Sequence, residues 1–146
     1  MKIAIACDHG GYSLKLTVKA HLQQLGHELI DFGCDGTDSC DYPDFAVPAA
    51  RAVAAKHCDT GIVICTTGIG ISIAANKVHG IRCALCSDPL SARLTRQHND
   101  ANMLAMGAGV IGPNLALEIV DTFLGTTFEG GRHQRRVDKI MAVEQG

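Results

Sequence analysis

Apolar residues in this chain fall into two alternating rhythms: short continuous runs, and longer stretches of helical period. Lys2–Ala6 is an apolar run of strand length, broken by Cys7-Asp8-His9-Gly10-Gly11. Leu14, Val18, Leu22 and Leu25 then recur on one helical stripe, with Lys15, Lys19 and Gln23 away from it and Gly26 as the cap. Glu28–Phe32 reads as a short strand and residues 33–41 as a polar loop carrying Cys34 and Cys40. Tyr42-Pro43-Asp44 opens an alanine-rich helix that runs to about His57. Gly61–Ile64 is a buried strand ending at Cys65, and Ile71–Lys77 begins a helix. Gly80 precedes a strand over Ile81–Cys86. Ser87-Asp88-Pro89 starts the next helix, with Ser87 as capping hydroxyl, and it ends near Asn99. Asn102–Met106 is a fifth strand, interrupted by Gly107-Ala108-Gly109 and completed by Val110–Gly112. Pro113 to Gly125 and about Gly130 to Glu144 are the last two helices, the final one carrying an apolar stripe of Val137, Ile140 and Met141 that is expected to pack on a partner subunit.

Strands alternate with helices from end to end, without linker or repeat. This predicts an α/β fold in one domain, residues 1–146: a parallel sheet covered by helices on both faces, three layers in all. Polar groups follow the strands, at Asp8/His9, Cys65/Thr67 and Ser87/Asp88, so three loops converge on the sheet edge where α/β proteins bind ligands.

Composition narrows the function. A chain of 146 residues, 47% hydrophobic, supports a full core. A net charge of −2 and 4% aromatic content exclude a broad nucleic-acid or membrane surface. No apolar run reaches membrane-spanning length, and the N-terminal run is too short for a signal peptide, so a cytoplasmic protein is expected. Seven cysteines in such a chain read as reduced, mostly core residues. Cys83 and Cys86 match C-x-x-C but lie on a predicted strand, which sends their sulfurs to opposite faces and argues against a metal or redox centre.

The chemistry concentrates in Cys65-Thr66-Thr67-Gly68-Ile69-Gly70-Ile71-Ser72. A strand passing through a glycine-rich turn into a helix offers backbone N–H groups at the positive end of the helix dipole. Such a nest holds an anion or a developing oxyanion, and it favours a thiolate on its rim. Cys65 therefore reads as a nucleophile or base beside an oxyanion site. A dinucleotide fold is disfavoured, because Ile73 stands where a third glycine is needed, and Lys77 is too distant for a phosphate loop. Asp8 and His9 pair an acid with an imidazole at a strand end; His98 and Asn99 close a helix. Arg132 and Arg136, one turn apart in a local basic run, form a fork suited to one phosphate.

Five separated stretches carry a family likeness: Cys7–Gly11, Asp41–Pro43, Cys65–Lys77, Arg96–Asp100 and Glu129–His133. In this order they resemble the type B ribose-5-phosphate isomerase family, which also includes galactose-6-phosphate and allose-6-phosphate isomerases. The resemblance covers essentially the whole chain. It implies a Rossmann-like five-stranded sheet, a homodimer or dimer of dimers, and active sites shared between two subunits. It implies an aldose–ketose isomerase acting on a sugar phosphate, with neither metal nor cofactor. Cys65 is then the base that moves a proton between C1 and C2. Some members use a glutamate ten residues further on, where this chain has Ala75. Thr67 assists transfer between the two oxygens, and the amides of Gly68, Ile69, Gly70 and Ser72 hold the enediolate. His98 of the partner subunit opens the sugar ring, with Asn99 beside it. Asp8 and Tyr42 contact sugar hydroxyls; His9, Arg132 and Arg136 bind phosphate, and His133 lines that end.

Two departures qualify the likeness. Members commonly have glycine where this chain has Thr66, and many have an arginine, lent to a neighbour's phosphate site, where it has Gly109. One lost charge-assisted contact costs about 1.5–3 kcal/mol, so weaker phosphate binding or partial use of non-phosphorylated aldoses is expected. The alternatives are an isomerase of other aldoses and, in a different class, a non-catalytic phosphate- or nucleotide-binding module.

Overall fold

The strands are β1 (Lys2–Cys7), β2 (Glu28–Asp31), β3 (Thr60–Cys65), β4 (Cys83–Leu85) and β5 (Met103–Gly107). The helices are α1 (Tyr12–Gln24), α2 (Pro43–Ala54), α3 (Ile69–Asn76), α4 (Pro89–Asn99), α5 (Pro113–Gly125) and α6 (Arg132–Ala142), with single 3-10 turns at His9–Gly11 and Val143–Gln145. They are described in a computed structural model that covers residues 1–146.

The five strands form one sheet in the order β2-β1-β3-β5-β4, and every pair is parallel. Because side chains alternate along a strand, the sheet has two apolar faces. Ile3, Ile5, Ile62, Ile64, Leu104 and Met106 pack under α1, α4 and α5. Ala4, Ala6, Val63, Met103 and Ala105 pack under α2 and α3, where small residues such as Ala46, Ala49 and Ala50 bring α2 close. The predicted three-layer α/β architecture is present.

Several local expectations are corrected. Lys15, placed by periodicity on the outer face of α1, is only 1% exposed. It lies three residues before Val18 at the margin of the apolar stripe, and its Nζ donates to Asp31 Oδ1 at 2.9 Å and to the Cys34 carbonyl at 2.6 Å. Leu25 lies beyond the last turn of α1 and is exposed. The cap of α4 is Asp88, not Ser87: its carboxylate accepts the Ser91 N–H at 2.7 Å. Val110–Gly112 does not extend β5, because the Gly107 carbonyl accepts the N–H groups of Val110 and Ile111 and turns the chain. β4 is shorter than predicted. Asn76 takes the outward N–H and carbonyl of Cys83, which seals that edge of the sheet. Cys83 and Cys86 do face opposite sides. The last helix buries Val137 and His133 against its own chain, while Ile140 remains exposed.

Candidate active site

In this strand order the chain leaves β1 toward β2 on one side and returns to β3 on the other. The gap between the C-terminal ends of β1 and β3 is the topological switch point, where open parallel sheets receive ligands. Asp8 and His9 leave β1 there, and Cys65 is the last residue of β3.

The cysteine loop is tightly constrained. Gly68 stands at φ +77°, and a Cβ on it would overlap the Leu85 side chain and approach the Met106 carbonyl carbon to 2.8 Å. Only glycine meets both demands. That turn aims the Gly68 N–H at Cys65 Sγ, 3.1 Å away. The Ile69 N–H goes to Thr67 Oγ1 at 3.2 Å, so Thr67 accepts from the loop and keeps its own proton for another acceptor. The predicted nest is thus partly closed on itself. Ser72 is fully engaged: its N–H bonds the Gly68 carbonyl, and its hydroxyl donates to the Ile69 carbonyl at 2.8 Å. It braces the first turn of α3 and has no donor left for a ligand.

Neighbouring loops close around this core. Asp8 Oδ1 accepts the N–H groups of Gly10 and Gly11 at 3.0 and 3.2 Å, and Oδ2 takes no bond within the chain. His9 Nδ1 accepts the Cys40 N–H at 3.2 Å, which leaves the proton of a neutral ring on Nε2 as an outward donor. The Tyr42 ring lies over Gly70, where a Cβ would come within 2.9 Å of its hydroxyl. Thr66 is wedged between two loops: a Cβ on Gly10 would overlap its Oγ1, and one on Gly109 would lie 3.0 Å from its Cγ2. The two departures noted above therefore touch. Position 109, in the loop after β5, packs on the cysteine loop of its own chain, where its N–H bonds the Thr66 carbonyl at 2.8 Å.

The remaining candidates lie at the other edge of the sheet. His98 and Asn99 end α4, which starts at the C-terminal end of β4 and runs back to the start of β5, about 16 Å for its 11 residues. Arg132, His133 and Arg136 occupy the start of α6, where His133 stacks on His98 with ring centroids 4.3 Å apart. Arg132 and Arg136 are exposed and form no ion pair within the chain. Two arginines that periodicity did not single out hold this end. Arg82 donates to the Asn99 and Asp100 carbonyls, and Arg96 to the Asp100 carboxylate at 2.9 Å and the Ala101 carbonyl at 2.6 Å. They fix Asp100 at φ +46°, the residue that ends α4 just after His98 and Asn99. Arg82 reaches partners 17 and 18 residues away, which follow no local pattern, whereas Arg96 pairs with Asp100 one helical turn on.

Burial pushes other thiols up: Cys7 and Cys83 to about 12 and Cys86 to about 11. Cys7 and Cys86 are core residues, and Cys83 packs against the core from the edge strand. A groove of about 470 Å³ lies between β4, α4 and the C-terminal turn, but its polar groups bind each other: Arg82 holds Asn99, and Glu144 holds the Gly80 N–H. No three His, Cys, Asp or Glu side chains converge as a metal cluster.

A doubly wound parallel sheet with a thiol at its switch point, bonded by an amide at the start of a helix, defines an α/β protein of the class that receives small ligands at the C-terminal ends of its strands. The chain belongs to the ribose/galactose isomerase family, whose model matches residues 3–140. It is 55% identical over 144 residues to ribose-5-phosphate isomerase B of Escherichia coli, covering 99% of this chain and 97% of that protein. Ribose-5-phosphate isomerase B of Clostridium thermocellum superposes with a TM-score of 0.98 at 56% identity, covering 99% of this chain and 98% of that one. The Mycoplasma genitalium enzyme, solved with bound ribulose 5-phosphate, superposes with a TM-score of 0.95 at 42% identity, covering 99% and 96%.

Proposed function

We propose that this protein is an aldose–ketose isomerase that interconverts ribose 5-phosphate and ribulose 5-phosphate, with each active site completed by a second copy of the chain. The observation that carries the reading is the Gly68 N–H bonded to Cys65 Sγ at the switch point. That amide is placed to share the negative charge of a thiolate as it accepts a proton from carbon.

The sequence of events follows from the groups present. A ring nitrogen of the partner's His98 donates a proton to the sugar ring oxygen as the anomeric hydroxyl releases its own, giving the open-chain aldehyde. The Cys65 thiolate removes the proton from C2, and the electron pair moves to form the enediolate. Thr67, its oxygen tied to the Ile69 N–H, relays a proton between O1 and O2. The Cys65 thiol then returns the proton to C1, and the ketose forms. Asp8 Oδ2 and Tyr42 line the sugar, and His9 Nε2–H points toward the phosphate end with Arg132 and Arg136 of the partner subunit. Each role uses a group whose bonds within the chain leave the required atom unoccupied. Ser72 serves only by bracing α3.

The placement of His98 and α6 at the sheet edge opposite Cys65 supports a shared site. A six-residue strand spans roughly 20 Å, too far for one five-carbon sugar phosphate to bridge within a single chain. No helix is long and apolar enough to cross a membrane, and all seven cysteines are unpaired, which suits the reducing cytoplasm.

A coupled assay on wild type and Cys65→Ala tests the reading. The isomerase predicts a loss of kcat of about 10²–10⁴-fold with an unchanged circular dichroism spectrum. A wild-type protein that binds sugar phosphate without turnover is instead a binding module.

A further inference from the structure

His98 and His133 form a parallel stack, ring centroids 4.3 Å apart and planes 12° apart. The rings come from opposite kinds of helix end. His98 lies in the last turn of α4, and His133 is the second residue of α6. A helix C-terminus carries partial negative charge and an N-terminus partial positive charge. Thus α6 disfavours a proton on His133. Exposure works in the same direction, since His133 is buried and His98 half-buried. Burial first, then His98 and Arg132, and less strongly Arg136, hold the His133 imidazole below its ordinary range; Glu129 opposes them. On α4, Arg96 is committed to Asp100 and to the Ala101 and Thr126 carbonyls. Two imidazolium rings face to face repel, so a charge on His98 also disfavours one on His133.

We propose that His133 is a positioning residue: its ring stacks on His98 and fixes the plane of that ring for sugar ring opening. The inference rests on the isomerase reading and deepens it. His98 gives its proton to the ring oxygen, the C1–O bond breaks as the anomeric hydroxyl loses a proton to water, and His98 is reprotonated from solvent. His133 takes no part in the exchange.

The test combines three measurements on wild type, His133→Phe, His133→Ala and His98→Ala. They are the NMR titration of both imidazoles, kcat/KM for ribose 5-phosphate, and deuterium incorporation at C1 of ribulose 5-phosphate in D2O. The last needs the enediolate but no ring opening. His133 is expected to titrate below the ordinary imidazole range in the wild type and to move up in His98→Ala. His133→Ala is expected to lose about tenfold in kcat/KM, and His133→Phe, which stacks but cannot titrate, to recover most of it, with deuterium incorporation retained in both. A His133 titration unchanged in His98→Ala, wild-type kcat/KM in His133→Ala, or a His133→Phe enzyme as impaired as His98→Ala would overturn the proposal. Absence of isomerase turnover in the wild type refutes the functional reading itself. The His133 titration, which needs no turnover, tells the two failures apart.

Discussion

Gly68 and Lys15 are each set by one local constraint, and each has a measurable consequence. The left-handed backbone at Gly68 and the contact with Met106 beneath it aim an N–H at the Cys65 sulfur. Gly68→Ala is expected to cost about 1–3 kcal/mol of stability and to lower kcat more than it changes KM, as steady-state kinetics would show. Lys15 secures the start of the loop that leads to Tyr42, through Asp31 and the Cys34 carbonyl. Burial alone would raise the Asp31 carboxyl, but hydrogen bonds from Lys19, Lys15 and the Gly33 N–H outweigh it and hold the group below its usual range. A carboxyl lowered on folding contributes stability above its unfolded pKa, about 3.9, and that stability is lost as pH falls through the folded value. Urea melts should therefore show a decline below about pH 4 that is smaller in Asp31→Asn. That variant should also be about 3–5 kcal/mol less stable at pH 7, with Lys15 left unpaired. Equal acid sensitivity of the two proteins would contradict this. Neither constraint is written in hydrophobic periodicity: Lys15 reads as an outer-face residue until its fixed partners in β2 and the following loop are known.

At the scale of elements, the loops after β1, β3 and β5 interlock through Thr66. Its side chain fills the space that a residue at Gly10 or Gly109 would need. Two substitutions that look independent along the chain are one packing arrangement. Gly109→Arg alone is expected to disturb the cysteine loop and lower kcat/KM for ribose 5-phosphate. Thr66→Gly combined with it should recover much of the loss, giving a coupling of about 1–3 kcal/mol in a double-mutant cycle. Strict additivity would show that the loops are independent. Element order and helix placement were legible because strand runs and helical stripes differ in period. Ends were less so. The cap at Asp88, the early end of β5 and the shortness of β4 depend on hydrogen bonds to residues outside each element's own pattern, such as Asn76 on Cys83.

At the scale of the molecule, the candidate residues form two groups at opposite edges of one sheet: Asp8, His9, Tyr42, Cys65 and Thr67 at one, His98, Asn99, Arg132, His133 and Arg136 at the other. The residue types were readable in the sequence, since acids, imidazoles and arginines cluster at element ends. Their separation was not, because it follows from the direction of α4 across the sheet. The central claim is that one chain's cysteine loop works with another chain's histidine. Subunit complementation tests it most directly: purified Cys65→Ala and His98→Ala proteins are denatured together, refolded and assayed. Each alone should be nearly inactive. The mixture should regain about a quarter of wild-type activity, since half of randomly paired dimers are mixed and each mixed dimer has one intact site of two. A mixture no more active than its components would contradict the account.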